Sequence, residues 1–400
     1  MMQLMSLFRV LFFIYLLACA YSESEVEDVK KYEDKIDAIF VKPNEAALEI
    51  STSYSESVPL SAPSHEDCQC VPYFNCKEVV EDGVGVIDIR IENSCNSLEH
   101  CCGAANTTTE SIISKPEPHT PGRCGRRNGD GVGIRITGME DNETQFGEFP
   151  WMVAVLATKK HKKSLEKTET YQCGASLIHP QVVLTAAHCV YDKKNKYGIR
   201  AGEWDTHTTY ELFPHQDREI KEIIIHPKYY KGGLFYDFAL LILDSPLEIT
   251  DNVDVVCLPD ETMVPGKTFC YATGWGREVF SGDGKNPAIL KKVDLPIVDR
   301  DTCQNRLRST RLGSRFNLHE SFICAGGELG KDTCKGDGGS PLVCPLDDEE
   351  DRYYQAGIVA WGIDCGKEHV PGVYAHVAKA KGWIDDVMVS HNFDTSVYKY

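Results

Sequence analysis

A histidine, an aspartate and a glycine-rich loop follow one another along this chain, in the order and with the residue types of an acyl-transfer site. Such a site needs an oxygen nucleophile, a histidine that takes its proton, a carboxylate that orients the histidine, and backbone N–H groups that receive the oxyanion. The three segments are Thr185-Ala-Ala-His188-Cys189, Tyr236-Asp237-Phe-Ala-Leu-Leu241 and Asp332-Thr-Cys-Lys-Gly-Asp-Gly-Gly-Ser-Pro341. They supply a base and a carboxylate, but Gly338 in the third segment has no side chain that could attack.

These segments resemble the motifs of the chymotrypsin-like serine proteases, and the resemblance covers residues 124 to about 390. The family reads Gly-Asp-Ser-Gly-Gly-Pro in the third motif, whereas this chain reads Gly-Asp-Gly-Gly-Ser-Pro. The resemblance implies an all-β, chymotrypsin-like double β-barrel with a C-terminal helix over 124–392, with His188 as base and Asp237 as its partner. Gly338 then stands where the serine belongs. Losing that serine costs on the order of 10⁶ in turnover, so we expect a protease scaffold that is not an enzyme.

Alternatives stay open at this site. Ser340 lies two residues after Gly338, but attack tolerates only about half an ångström of misplacement. Its Cβ also replaces a family glycine, which strains the loop if the backbone there needs a positive φ. His188 and Asp237 could persist as a buried pair that only satisfies its own polar groups. Ala360, where the family usually has a serine that bonds the aspartate, is a second departure that favours loss of activity.

The same resemblance implies a pocket for a cationic side chain. Asp332 with Gly362 and Gly372 resembles the trypsin-type slot that accepts arginine or lysine, because a carboxylate at its floor would pair with the cation. An inherited pocket without a ligand is the alternative. The two carry equal weight.

A metal site is implied by a second loop. The segment that holds Glu203, Asp205 and Glu211 is similar to the calcium loop of trypsin-like domains, and closely spaced carboxylates suit a hard cation. A solvated acidic loop is the alternative. We therefore expect no cofactor for catalysis, and structural calcium is the candidate metal.

Activation in this family frees an N-terminus that pairs with the aspartate before the nucleophile, here Asp337. The corresponding bond is Arg135–Ile136, although Thr137 and Met139 depart from the usual valine and glycine. A second candidate bond is Arg90–Ile91, between the cysteines at 76 and 95, and Arg123 is a further site to examine. For Arg90, a surface arginine with no processing role is the commoner case.

Composition describes a secreted globular protein. The 400 residues, 42% hydrophobic, suffice for one large domain with appendages, and the net charge of −18 argues against nucleic acid as a partner. Residues 1–20 read as a signal peptide, since the apolar run from Val10 to Leu17 is too short to span a membrane. Its removal takes Cys19 and leaves 16 of the 17 cysteines, an even number for an oxidising compartment.

The mature N-terminus begins with an acidic arm, residues 21–67, which lacks the apolar density of a core. Six apolar residues within it recur at helical spacing and predict a short amphipathic helix able to dock on a partner: Val26, Val29, Tyr32, Ile36, Ile39 and Phe40. A transient helix without function is the alternative.

Six cysteines crowd into residues 68–102 and indicate a disulfide-stapled mini-domain, because no histidine stands at zinc-ligand spacing. Sequence alone leaves 15 pairings open. The adjacent Cys101 and Cys102, upstream of a protease-like domain, resemble the end of the arthropod clip domain, which implies the pairs Cys68–Cys101, Cys70–Cys95 and Cys76–Cys102. A linker, 103–123, follows.

The protease-like part holds the ten remaining cysteines, and the resemblance pairs them all. The implied bridges are Cys124–Cys257, Cys173–Cys189, Cys270–Cys344, Cys303–Cys324 and Cys334–Cys365. Two sequons, at Asn106 and Asn142, predict glycosylation and fit the same secretory route.

Taken together, the two modules resemble the arthropod clip-domain serine protease homologues. The resemblance implies a secreted cofactor in haemolymph-type fluid that is processed by an upstream trypsin-like clip protease, self-associates, and assists prophenoloxidase activation in melanisation. Neither nucleic acid nor a membrane is an expected partner. The alternatives are an active trypsin-like clip protease and a recognition or adhesion protein for microbial surfaces or haemocytes.

Overall fold

The computed structural model describes residues 68–77, 80–81, 84–88, 95, 99–103, 105–108, 124–137, 139–160, 167–208, 211–276, 287–334, 336–346 and 351–400. The expected signal peptide, the acidic arm with its amphipathic segment, most of the linker and the Arg90–Ile91 bond lie outside these residues. No helix in the described part of the chain is long and apolar enough to cross a membrane.

Short strands dominate the described chain. They are β1 (Cys68–Pro72), β2 (Val80–Glu81), β3 (Val84–Asp88), β4 (Glu99–Gly103), β5 (Ile134–Thr137), β6 (Met152–Lys160), β7 (Lys167–His179), β8 (Val182–Thr185), β9 (Lys196–Ala201), β10 (Gln216–Ile225), β11 (Ala239–Leu243), β12 (Phe269–Gly274), β13 (Lys291–Val298), β14 (Phe322–Ala325), β15 (Pro341–Pro345), β16 (Tyr353–Trp361) and β17 (Gly372–His376). The helices are α1 (Ala187–Val190), α2 (Arg300–Arg308) and α3 (Lys381–Ser390), with 3₁₀ turns at Tyr73–Asn75, Val377–Ala380 and Thr395–Tyr398.

Two closed six-stranded barrels form the body of the molecule, one from β6 to β11 and one from β12 to β17. In β9 every second residue is buried, as expected of a strand with one face in a core. β8, β11 and β17 are buried along their whole length. The expectation of an all-β, chymotrypsin-like double barrel is confirmed.

The helices join and close the barrels. α1 follows β8 directly and carries His188. α3 confirms the expected C-terminal helix, and the packed unit continues beyond residue 392. There Tyr398 is fully buried, and its hydroxyl donates to Asp385 Oδ1 at 2.6 Å.

Seven disulfides join described cysteines, and they are pairs that the resemblance implies: Cys70–Cys95, Cys76–Cys102, Cys124–Cys257, Cys173–Cys189, Cys270–Cys344, Cys303–Cys324 and Cys334–Cys365. The side chain of Cys68 lies outside the described part, so Cys68–Cys101 stays a prediction. Of the sequons, Asn142 is exposed and Asn106 half-buried.

In the N-terminal module β1 and β4 pair antiparallel, with Cys70 opposite Cys101. Tyr73, only 1% exposed, is the fully buried aromatic residue of this module. The ordered module continues past 102, because Thr108 N donates to Asn75 O at 2.8 Å.

A small sheet connects the two modules. It has the order β2-β3-β5, so a strand from the cysteine-rich module lies beside a strand that precedes the first barrel. β3 and β5 are parallel, with Val86 opposite Arg135 and Ile87 opposite Ile136. Nothing in the local sequence pattern predicts this pairing.

Candidate functional site

The histidine and aspartate predicted from sequence lie in contact between the barrels. Asp237 Oδ2 is 2.6 Å from His188 Nδ1, and Asp237 Oδ1 accepts the backbone N–H of His188 at 2.8 Å. Asp237 is fully buried, whereas 26% of the His188 side chain is exposed. Burial acts to lower the pKa of His188, but the charge and hydrogen bond of Asp237 outweigh it, and the pKa is raised. The base and its orienting group are therefore assembled.

The position opposite this pair is empty of an attacking atom. A Cβ built on Gly338 would lie 2.7 Å from His188 Nε2 and 3.3 Å from its Cε1. Gly338 thus faces the ring nitrogen that would take the nucleophile's proton. The imidazole occupies the space that a side chain at 338 would need, and no hydroxyl of the described residues is placed to use this base.

Ser340 is not a displaced nucleophile. Its side chain is fully buried, and a Cβ on Gly174 would overlap its hydroxyl. Ser340 Oγ makes no hydrogen bond to His188. Ser340 is not among the residues with positive φ, so the expected strain at this position does not arise.

Asp337 is held by the loop it belongs to. Its Oδ1 accepts the N–H of Gly276 at 2.9 Å, and its Oδ2 accepts the N–H of Cys334 at 2.8 Å. Burial raises the pKa of Asp337 to about 6, and these two N–H groups moderate the rise. A Cβ at Gly274 or Gly276 would overlap this carboxylate, which explains glycine at both positions.

The pocket residues predicted from sequence are only partly brought together. Asp332 accepts the N–H of Thr333 at 2.8 Å and of Gly366 at 3.2 Å. Burial raises its pKa to about 7, which the two N–H groups oppose and the charge of Asp337 assists. Gly372 lies against Asp332: a Cβ added at residue 372 would be 3.0 Å from Asp332 Oδ1. A Cβ added at Gly362 would meet open space.

One cavity of about 980 Å³ reaches both buried carboxylates, Asp332 and Asp337. Its walls come from β12, β13 and the Cys334–Cys365 disulfide, and Gly362 is not among its lining residues. The carboxylates of Asp332 and Asp337 therefore share one cavity, and the arginine slot stays a prediction.

Two sulfurs near His188 do not make a metal site. Cys173 Sγ, Cys189 Sγ and a ring nitrogen of His188 lie within 4.8 Å of one another. The two sulfurs are bonded to each other in a disulfide, so neither is a thiolate that could bind a metal. This bridge fixes α1 against β7 instead.

The expected calcium residues do converge, and they are buried. Glu203 and Glu211 are each 6% exposed and Asp205 is 1% exposed. Glu211 Oε1 accepts Asp205 N at 3.4 Å, while Glu211 Oε2 is buried without a hydrogen-bond partner in the described chain. Burial, with smaller contributions from the charges of Glu203 and Asp205, raises the pKa of Glu211 to about 7. A buried carboxylate oxygen without a partner beside two more carboxylates fits a hard cation.

The cysteine-rich module covers this acidic loop, which the sequence did not reveal. Burial and the nearby charge of Glu211 raise the pKa of Tyr73 far above its ordinary value. The Tyr73 hydroxyl oxygen accepts a hydrogen bond from the backbone N–H of Leu212. The sequence around Tyr73 does not predict this contact, because the acidic loop lies more than a hundred residues further along the chain.

A second feature that the sequence did not reveal is the set of cations around Glu148, whose side chain is fully buried. Arg127 Nη2 lies 2.6 Å from Glu148 Oε1, and Lys292 Nζ lies 2.8 Å from Oε2. Oε2 also accepts the N–H of Gln145 at 2.8 Å. Glu148 thus fixes the turn that presents Gln145 to β5.

Comparisons with known proteins agree with this architecture. A family model described as "Trypsin" matches residues 139–384, and one described as "Serine protease Clip domain PPAF-2" matches residues 57–103. The chain is 53% identical over 298 residues to "Phenoloxidase-activating factor 2" of Galleria mellonella, covering 73% of this chain and 98% of that protein.

Two relatives from Anopheles gambiae are named as inactive. "Inactive CLIP domain-containing serine protease A8" is 40% identical, with 79% of this chain and 87% of the relative covered. "Inactive CLIP domain-containing serine protease A28" is 38% identical, with coverage of 78% and 82%.

Proposed function

This chain belongs to the clip-domain serine protease homologues of the trypsin family, and we propose that it acts as a secreted, non-catalytic cofactor in an extracellular proteolytic cascade. The observation that carries this proposal is that Gly338, which has no side chain, faces His188 Nε2. A Cβ added at residue 338 would lie only 2.7 Å from that nitrogen. A trypsin fold with a base, an orienting carboxylate and no attacking oxygen retains binding surfaces but lacks the first step of acyl transfer.

The cascade we propose is prophenoloxidase activation in melanisation. Support comes from the name of the relative that is 53% identical and matched over 98% of its length. In this proposal an upstream trypsin-like clip protease cuts the chain, the cut protein self-associates, and the assembly helps to convert prophenoloxidase to phenoloxidase.

Reconstitution tests the cofactor role. Purified prophenoloxidase and its activating protease should yield active phenoloxidase when this processed chain is present and little without it. The matched variant is His188→Ala, which removes the base that faces position 338. A cofactor keeps its effect in this variant, whereas loss of the effect in a folded His188→Ala protein would indicate an enzymatic role and overturn the proposal.

We further propose that Glu203, Asp205 and Glu211 hold a structural calcium ion. The support is the buried, unpartnered Glu211 Oε2 and the charge of the two neighbouring carboxylates. Bound calcium would neutralise these carboxylates. It would also hold the loop that Tyr73 covers.

The pH dependence of stability checks this calcium site. The pKa of Glu211 rises from 4.5 when unfolded to about 7 when folded. Its protonation therefore stabilises the fold fully below pH 4.5, and this contribution is lost as the pH rises through about 7. Without calcium, the melting temperature should fall between about pH 4.5 and pH 7 and level off above about pH 8, and calcium should restore it most at the higher pH, where the ligand is ionised.

Two variants complete the calcium test. Glu211→Gln should abolish both the pH dependence and the response to calcium. The control Glu219→Gln changes an exposed carboxylate, 69% accessible, that pairs only with exposed Lys196, and should leave both unchanged. Identical melting curves in calcium and EDTA at about pH 8 would exclude the site.

A further inference from the structure

The bond between Arg135 and Ile136 lies inside a hydrogen-bonded strand. β5 pairs in parallel with β3, with Gly85 opposite Ile134 and Asp88 opposite Thr137. The partner strand belongs to the clip module, and the candidate cut after Arg90 comes two residues after β3 ends. A strand that is cut in the folded protein must first leave its sheet.

The other edge of β5 is also occupied. Ile136 N donates to Gln145 Oε1 at 2.7 Å, and Gln145 Nε2 donates to Ile136 O at 2.8 Å. Both polar backbone groups of one strand residue point to the same edge, and the direction alternates along the strand. Those of Ile136 face Gln145, so those of Arg135 and Thr137 face β3. The peptide bond is therefore held from both sides.

The arginine side chain at this bond is exposed, although the backbone on either side of the bond is hydrogen-bonded. The Arg135 side chain is 60% exposed, and its Nη1 lies 3.6 Å from the exposed carboxylate of Asp130. Ile136 is 2% exposed. The arginine side chain is thus available to a trypsin-like protease, while the backbone on either side of the bond is not.

We propose that β3 of the clip module masks the Arg135–Ile136 bond, so that this bond becomes a processing site only after β3 has left β5. Any event that detaches β3, including a cut after Arg90, then precedes the cut after Arg135. The clip module thus blocks cleavage at Arg135–Ile136 until β3 has detached. The inference concerns the order of cleavage and holds whether or not the chain acts on prophenoloxidase.

Limited trypsin digestion of the full chain tests the mask. Proline at 87 cannot donate a ladder hydrogen bond to β5. Proline at 86 is the matched control, because the N–H of Val86 points away from β5 by the same alternation. Ile87→Pro should accelerate the appearance, on reducing gels, of the fragment that begins at Ile136 by at least about tenfold, which corresponds to about 1.4 kcal/mol of lost strand stability. Val86→Pro should cut at the wild-type rate.

Amide hydrogen exchange supplies the second measurement. The amides of β5 should be protected in the wild type and lose protection in Ile87→Pro, with β9 unchanged in both as the folding control. Wild-type cleavage rates in Ile87→Pro would overturn the proposal. Equal acceleration by both proline variants would also overturn it, since general loosening of the clip would then be responsible.

Discussion

The processed protein will hydrolyse arginyl and lysyl amide substrates no faster than background and will not react with fluorophosphonates. The missing nucleophile alone is worth on the order of 10⁶ in turnover. Ser340 is buried and makes no hydrogen bond to His188, so it offers no substitute. Chromogenic arginine substrates and active-site labelling measure this, with trypsin as the positive control. Labelling at Ser340 would contradict the prediction.

Gly338→Ser by itself will restore little of this activity. The new Cβ would stand 2.7 Å from His188 Nε2, closer than side chains approach, so the imidazole must move. Asp237 opposes that movement through contacts of 2.6 and 2.8 Å to the ring and backbone of His188. Ala360 also stands where the family usually has a serine that bonds the aspartate. Near-trypsin rates from this one variant would mean that the remaining site is intact.

Glu148→Ala will destabilise the protease-like domain by about 3–5 kcal/mol, the usual cost of removing one partner of a buried ion pair. Arg127 and Lys292, 15% and 20% exposed, would lose their counter-charge together. The melting temperature should fall by about 10 °C for a domain of this size. Thermal unfolding followed by circular dichroism measures the change.

Glu140→Ala is the control for this variant. Glu140 also pairs with a lysine, Lys291, at 2.7 Å, but its own side chain is 69% exposed. Exposed pairs contribute about 0–1 kcal/mol, so the melting temperature should move by only a degree or two. If both variants behaved alike, burial of Glu148 would not decide its contribution.

The sequence predicted the features that short local motifs identify. His188 and Asp237 lie in motifs whose residue types identify their roles, and the barrel strands follow from short β-branched runs between turns. The acidic loop was predicted as a metal site because it resembles the calcium loop of trypsin-like domains, and its closely spaced carboxylates suit a hard cation. The resemblance also supplied the cysteine pairs, which spacing alone left open.

The features that the sequence did not predict all depend on distant contacts. The β3–β5 pairing joins two four- or five-residue strands some fifty positions apart, and no periodicity specifies a partner strand for such segments. Tyr73 over Glu211, and Glu148 between Arg127 and Lys292, are likewise set by tertiary packing. The cavity that Asp332 and Asp337 share depends on how loops close around it, which residue types alone do not fix.

The disulfides decide how a cut molecule behaves. Cys70–Cys95 and Cys76–Cys102 span the bond after Arg90, and Cys124–Cys257 spans the bond after Arg135, so neither cut separates the pieces. Detachment and return of β3 are then unimolecular steps, and the fraction of molecules with β5 uncovered does not change when the protein is diluted. A partner that binds the edge of β5 must compete with β3, which the disulfides keep on the same molecule at an effective concentration on the order of millimolar. Abundance of the partner, rather than abundance of this chain, therefore sets how many cleaved molecules stay open.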